Sequence, residues 1–457
     1  MTTFYERNYG RILKGIVGVA VCATAFLVGY ARGAKTSIPA LLGDLAQTGA
    51  GVLGAAWEQT AKTEPVHFLQ VSRKPGAGVT LNMLPERGDM ILLTGFFDGM
   101  PGLRLIRRDG SIVAAWRAAF SELAPELRHR ASAPKTDWNI DLHGSEMQPD
   151  GSVLFNFEYQ ATIKLSRCGA REWILPERSH HTISPAAAGG FWIAGRVVLK
   201  KSDDPAYHPM TNPLRTTGWI EDDELLHVSD AGEVLARKSV FRLMMENGLE
   251  PLLTANGVQL RRGVLADNEI LHLNHIEELS PALAPAFPMF EAGDLLLSVH
   301  DFNLVLVVDP EGWRVKWHSV GPWVRQHSAR FLPDGTIAVF NNNAYTYALD
   351  PAGQDPGVGW SFSDIRAVDP GTRAEHVVYG DRDGEDLASV ERGFIQPLGA
   401  GELMITETAG GRAFEIDRER RIVWEYINRY DDDRVLEITS AEVYPAGYFT
   451  VTDWSCP

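Results

Sequence analysis

Basic residues are outnumbered in this chain, with 43 Lys and Arg against 59 Asp and Glu for a net charge of −16, and nowhere do they form a stripe. Nucleic-acid binding needs clustered cations to displace counterions, so that class is excluded. Cysteine is scarce as well, at three in 457 residues. Cys22 sits in an apolar stretch and reads as inert packing. Cys168 and Cys456 can pair only if the body of the chain is exported to an oxidising compartment, and then they tie the C-terminal tail to the second repeat. Also missing are the His-x-His and His-Glu-x-x-His spacings that fix two ligands on one element, and few carboxylates fall in phase with the histidines. No metal site is expected on those grounds.

Long apolar runs are absent but for one, Gly15 to Ala31, bracketed by Lys14 and Arg32 and preceded by Arg7 and Arg11. Its length suits a short membrane helix or a long signal-peptide core. Arg32 spoils the cleavage window of Ala31, Gly33 and Ala34, so residues 1–34 read as an uncleaved anchor rather than a removed signal peptide. Basic residues ahead of the run put the N-terminus in the cytoplasm and the body beyond it, on the periplasmic side of an inner membrane. Residues 35–66, rich in Ala and Gly, read as a spacer, and 67–457 as the folded domain. The hydrophobic content of 45% is ample for a large core.

What the chain does have is a repeated phrase: a polar or histidine entry, an apolar strand, a Pro/Asp/Gly turn and a second apolar strand. Copies begin at Asn82, His143, His181, His275, His327, Phe394 and Ser440. The second halves run turn, glycine, β-branched strand, tryptophan, as in Arg108 to Trp116, Asp309 to Trp317, Asp350 to Trp360 and Asp417 to Trp424. Glycine supplies the positive φ of a hairpin turn, and the Val/Ile/Trp run suits a half-buried strand. Two hairpins make a four-stranded blade, so an all-β, six-bladed β-propeller is expected between Leu81 and Asn428, with a hairpin from Ser440 to Trp454 left to pair with the first blade and close the ring.

Radial stacking of the copies brings their histidines to one end of the axis. Leu271-His272-Leu-Asn274-His275-Ile276, followed by Asp294-Leu-Leu-Leu-Ser298-Val299-His300, resembles the His-x-Asn-x-Ile … Leu-x-Ser-x-Arg-His phrase of the bacterial arylsulfotransferases. Gln326-His327-Ser-Ala-Arg330 through Phe340-Asn341-Asn342-Asn343 is similar to that family's Gln-His-x-Ala … Phe-Asp-Asn-Gly phrase. The resemblance runs from about Leu81 to Trp454 and implies an exported six-bladed propeller. It also implies that a sulfuryl group passes from an aryl sulfate ester to a phenol, or to a glycan hydroxyl, through a transiently sulfated histidine and without the nucleotide donor, so no cofactor is needed.

Phrase matching assigns the nucleophile to His327 and a sulfate-holding role to His272, with His181 or His143 as the histidine from an earlier blade, His181 preferred. Asn274, His275, His300 and Arg330 are the substrate-binding candidates. One departure matters: Val299 stands where the family has arginine, and losing such a donor costs about 2.7–4 kcal/mol of transition-state stabilisation. Arg330, Arg325 and Arg196 are the candidates to replace it.

Each residue also has a plainer reading. A histidine at a strand entry can donate to a neighbouring blade's carbonyl, which holds equally for His143 and His275. Strand alternation sends His180 away from His181, toward surface or packing. Asp431-Asp432-Asp433 reads as a solvated loop, and Asp203-Asp204 with Glu221-Asp222-Asp223-Glu224 as a long insertion in the third blade, a lid or docking loop. The alternative function is a catalytically silent propeller that binds a polysaccharide, a sulfated ligand or a protein partner.

Overall fold

In the computed structural model, described here over residues 68–456 apart from 131, 201–218, 255–268, 270 and 345–361, the chain forms six blades of antiparallel strands. The second to fifth blades are continuous in sequence. They open on the inner strands Leu142–Met147, His180–Pro185, Leu273–Glu278 and His327–Phe331, and each then adds three strands outward. The sixth runs from Phe394–Gly399 to Ile422–Ile427. Each inner strand packs against the inner strands on either side, which closes the ring.

Closure uses both ends of the described chain. Ile438–Tyr444 pairs with Met90–Phe97 as the inner strand of the first blade, while Gly78–Asn82 adds a fifth, outer strand to the sixth blade alongside Ile422–Ile427. The expected terminal hairpin is therefore one strand. Beyond Tyr444 the chain leaves the sheet and runs onto the second blade, where Thr450 N–H donates to Pro149 O at 2.8 Å and the Tyr448 hydroxyl to Met147 O at 2.6 Å. Pro445 near the departure point has no N–H with which to continue a ladder. A Cys168–Cys456 disulfide, with Cα atoms 5.6 Å apart, fastens the end of the tail to that blade.

The strands follow from their sequences. Leu295–Val299 and Leu304–Asp309 are nearly uniform apolar runs because a middle strand of a blade has a neighbouring blade on each face. Trp116, Trp317 and Trp424, on fourth strands, are buried; the hairpin ending at Trp360 lies outside the described residues. At the Pro-Asp-Gly turns the aspartate closes the loop, with Ser152 N–H donating to Asp150 Oδ1 at 2.9 Å and Thr336 N–H to Asp334 Oδ1 at 3.0 Å. Gly335 there has φ 85°, and a Cβ on it would meet Ala286 O at 2.6 Å.

The acidic run Glu221-Asp222-Asp223-Glu224 is a correction. It lies in the strand Trp219–Val228 of the third blade rather than in an insertion, and Asp222 and Asp223 are buried. Asp203 and Asp204 fall outside the described residues, as do the expected anchor and the whole of the spacer. No helix among the described residues is long and apolar enough to cross a membrane.

Candidate active site

Inner strands of all six blades line an axial cavity of about 130 Å³, with His143, His181, His275, His327, Arg330 and Glu442 among its walls. Most of these strands enter through a bulge: register shifts fall between Leu142 and Ser145, His180 and Ile183, Leu273 and His275, and His327 and Arg330. The bulge breaks strand alternation. His180, expected to point away from its neighbour, is instead fully buried with its Nδ1 2.8 Å from Nδ1 of His181. His181 and His272 take φ of 56° and 58°, a left-handed conformation that costs a non-glycine residue about 1–3 kcal/mol and concentrates at functional sites.

Register also separates residues that look equivalent in sequence. Counting back four from the pair that closes each inner hairpin, Met147↔Val153, Pro185↔Phe191, Glu278↔Leu295 and Phe331↔Ile337, gives His143, His181, Asn274 and His327. His275 is thus one place out of phase, and Asn274 holds the common position. Asn274 uses its amide N–H on Gln326 O at 2.7 Å, joining the fourth blade to the fifth. His275 faces the cavity farther along, where burial and the charge of Arg330 push it well below 6.5.

Five imidazoles gather at the mouth. Ring centroids are 4.1 Å apart for His143 and His181, 4.7 Å for His181 and His272, 4.7 Å for His272 and His300, and 5.0 Å for His300 and His327. Around them stand acceptors that the repeat phrase did not reveal. Glu269 Oε1 is 2.5 Å from Nδ1 of His272, Asp301 Oδ1 2.8 Å from Nδ1 of His300, and Asn342 Oδ1 2.8 Å from Nδ1 of His327. Glu158 lies 3.6 Å from Nδ1 of His143. Glu158, Asp301 and Asn342 all directly follow or nearly follow the second strand of a blade. Because that strand is antiparallel to the first, its end returns to the same mouth, and this position is the signal that could have found them.

Asn342 sets a tautomer. Its amide N–H groups donate to Ser389 O at 2.7 Å and Arg392 O at 2.6 Å, so Oδ1 is the atom left to face His327. An amide oxygen only accepts; Nδ1 of His327 therefore carries the hydrogen, and Nε2 keeps its lone pair.

The charges differ among these rings. Burial first, then the proximity of His300, holds His327 well below 6.5. Burial and His143 do the same to His181, and burial takes His300 down to about 4 against the pull of Asp301. His272 goes the other way: burial opposes its charge, but Glu269 raises it above 6.5. In turn Glu269, against the cost of burial, is held well below 4.5 by His272 and Arg196. At neutral pH His272 is the ring that favours the proton and His327 a neutral base.

The three arginine candidates divide. Arg196 is spent on Asp223 at 2.8 Å and Glu269 at 2.6 Å, and it stacks 4.2 Å over the Tyr159 ring, so it reaches the mouth through Glu269. Arg325 contacts Asp301 at 3.1 Å, behind His300. Arg330 lines the cavity with His327 while donating to Ile395 O at 2.9 Å. Val299 is fully buried in an apolar cluster with Leu271, Leu273 and Phe302.

A family model described as Arylsulfotransferase (ASST) matches residues 146–429. Among curated proteins none matches the sequence. Similar solved structures include a protein of unknown function from Bacteroides caccae, 15% identical over 78% of this chain and 98% of that one, with a TM-score of 0.45. The Dos1 propeller is 10% identical over 81% of this chain and 78% of its own, with a TM-score of 0.38. A structure of the nidogen/laminin complex is 8% identical over 79% and 99%, with a TM-score of 0.41.

Proposed function

Because this chain belongs to the arylsulfotransferase family, over residues 146–429, we propose that it transfers a sulfuryl group from an aryl sulfate ester to a phenolic acceptor, with Nε2 of His327 as the nucleophile. In the first displacement the Nε2 lone pair forms a bond to sulfur and the sulfur–aryloxide bond breaks, its electron pair leaving with the phenolate. His272 gives its Nε2 proton to that oxygen. In the second, the acceptor phenol returns a proton to His272 as its oxygen attacks sulfur, and the N–S electron pair goes back to His327. A covalent intermediate of this kind divides one hard step into two.

The observation that carries this reading is the His327–Asn342 contact at 2.8 Å, which leaves a neutral ring with its free nitrogen at the mouth. The amide oxygen also suits the positive charge the ring acquires once Nε2 is sulfated. His272, the ring whose proton is favoured, and Arg330 supply cationic donors where Val299 cannot. The catalytically silent reading, a propeller that holds a sulfated ligand or glycan by the same donors, is favoured by one observation, the apolar burial of Val299.

Incubation with p-nitrophenyl sulfate decides between them. Phenol release with a sulfate-labelled peptide spanning His327, and loss of both in His327→Ala, is the expected result. Neither signal across several aryl sulfates would give the lead to the silent binder.

We also propose that residues 1–34 anchor the propeller outside the cytoplasm. The Cys168–Cys456 disulfide supports that compartment, since such bonds persist where thiols are oxidised. Protease added to intact spheroplasts should digest the propeller; complete protection would overturn this placement.

A further inference from the structure

The tautomers of three rings at the mouth are determined by their surroundings, and all three come out the same way. His327 carries its hydrogen on Nδ1 because Asn342 Oδ1 accepts it at 2.8 Å. For His272 the charge of Glu269, with an oxygen 2.5 Å from Nδ1, favours a hydrogen on that nitrogen. His181 is reached through His180, whose Nε2 faces two acceptors, Gly195 O at 3.3 Å and Asp223 Oδ1 at 3.4 Å. His180 must therefore hold its hydrogen on Nε2 and accept at Nδ1, so the 2.8 Å contact between the two Nδ1 atoms is donated by His181.

His181 and His327 consequently keep a bare Nε2, and His272 does too once it gives up its Nε2 proton, as it must when a metal ion takes that nitrogen. Nε2 of His181 and Nε2 of His272 are 3.1 Å apart, and one ring nitrogen from each of His181, His272 and His327 lies within 4.8 Å of the other two. Two lone pairs at that distance repel unless a proton or a cation lies between them. Nitrogens bound at about 2.0–2.1 Å to one tetrahedral zinc stand roughly 3.3 Å apart. Carboxylate, amide or imidazole acceptors on the outer nitrogens are the supports that orient metal-bound histidines. Two of the rings are also held in left-handed backbone.

We propose that His181, His272 and His327 form a three-imidazole site for a divalent transition cation of the zinc class, with its fourth position open to the axial cavity. All-nitrogen, neutral donors suit zinc, copper and nickel and disfavour magnesium or calcium. The ion and a sulfuryl group need the same lone pair of His327, so occupancy by one excludes the other. Metal binding itself is independent of whether sulfuryl transfer occurs.

The test is titration of the chelator-stripped full chain with Zn²⁺ by calorimetry and with Co²⁺ by visible absorption. One saturable equivalent with the intense bands of tetrahedral cobalt is expected, together with a rise in melting temperature on adding Zn²⁺. His272→Gln should lose the site, and Glu269→Gln, which keeps the ring but weakens its support, should bind about 10–100-fold more weakly. His376→Gln, on the exposed surface, should bind as the parent does. Circular dichroism of each variant separates loss of the site from loss of the fold. Absence of a stoichiometric site, or binding unchanged in a folded Glu269→Gln or His272→Gln protein, would overturn the proposal and leave a shared proton between His181 and His272. Inhibition of p-nitrophenyl sulfate turnover by one equivalent of Zn²⁺ is a separate readout; an inactive protein that still binds the ion overturns the transferase reading alone.

Discussion

Asp301 stands between two residues of opposite function: its Oδ1 is 2.8 Å from Nδ1 of His300 and 3.1 Å from a guanidinium nitrogen of Arg325. The same plan recurs at His272, where Glu269 is shared with Arg196. Arg325 and Arg196 thus act on carboxylates, and those carboxylates stand against the rings.

Replacing Asn342 by alanine removes the group that sets the His327 tautomer without touching substrate. We expect kcat to fall about 10²-fold, the scale at which small misplacement of a reacting group is felt, with KM nearly unchanged. Steady-state kinetics on p-nitrophenyl sulfate check this, and an unaltered kcat would show that the contact only packs.

The two key rings titrate on opposite sides of 6.5, His327 well below it and His272 above. Transfer needs the first neutral and the second protonated. Metal-free protein should therefore show a bell-shaped kcat/KM profile, its acid limb well under pH 6.5 and its alkaline limb above. In His272→Gln the alkaline limb should vanish while the acid limb stays.

Restoring the family's arginine at Val299 should not restore a donor. Val299 is packed among Leu271, Leu273 and Phe302, and an unpaired charge placed there costs roughly 3–5 kcal/mol. Thermal unfolding of Val299→Arg should shift down, with no gain in turnover.

Removing residues 438–457 takes away the inner strand of the first blade and should abolish cooperative unfolding of the ring. Cys456→Ser, by contrast, loses only the fastening at Cys168 and should cost about 2–4 kcal/mol. Equal melting curves for the two proteins would contradict the closure described above.

Sequence by itself determined the blade, because its signals are local: an Asp-Gly turn, a β-branched run and a tryptophan recur wherever a hairpin forms, and their number fixed six blades with the C-terminus closing the first. It also placed histidines at the strand entries. Which of them meet was decided by tertiary structure. A single bulged residue changes the face a side chain occupies, so His180 joined the cluster and His275 moved one place along the axis, although the repeat phrase suggested neither. The supports Glu158, Glu269, Asp301 and Asn342 were silent in the repeat phrase because they fall outside its histidine entry: Glu158 and Asn342 follow the second strand of the same blade as their rings, and Glu269 and Asp301 flank their rings in the chain. His181, His272 and His327 come from three different blades, so their approach to within 4.8 Å of one another leaves no spacing in the chain.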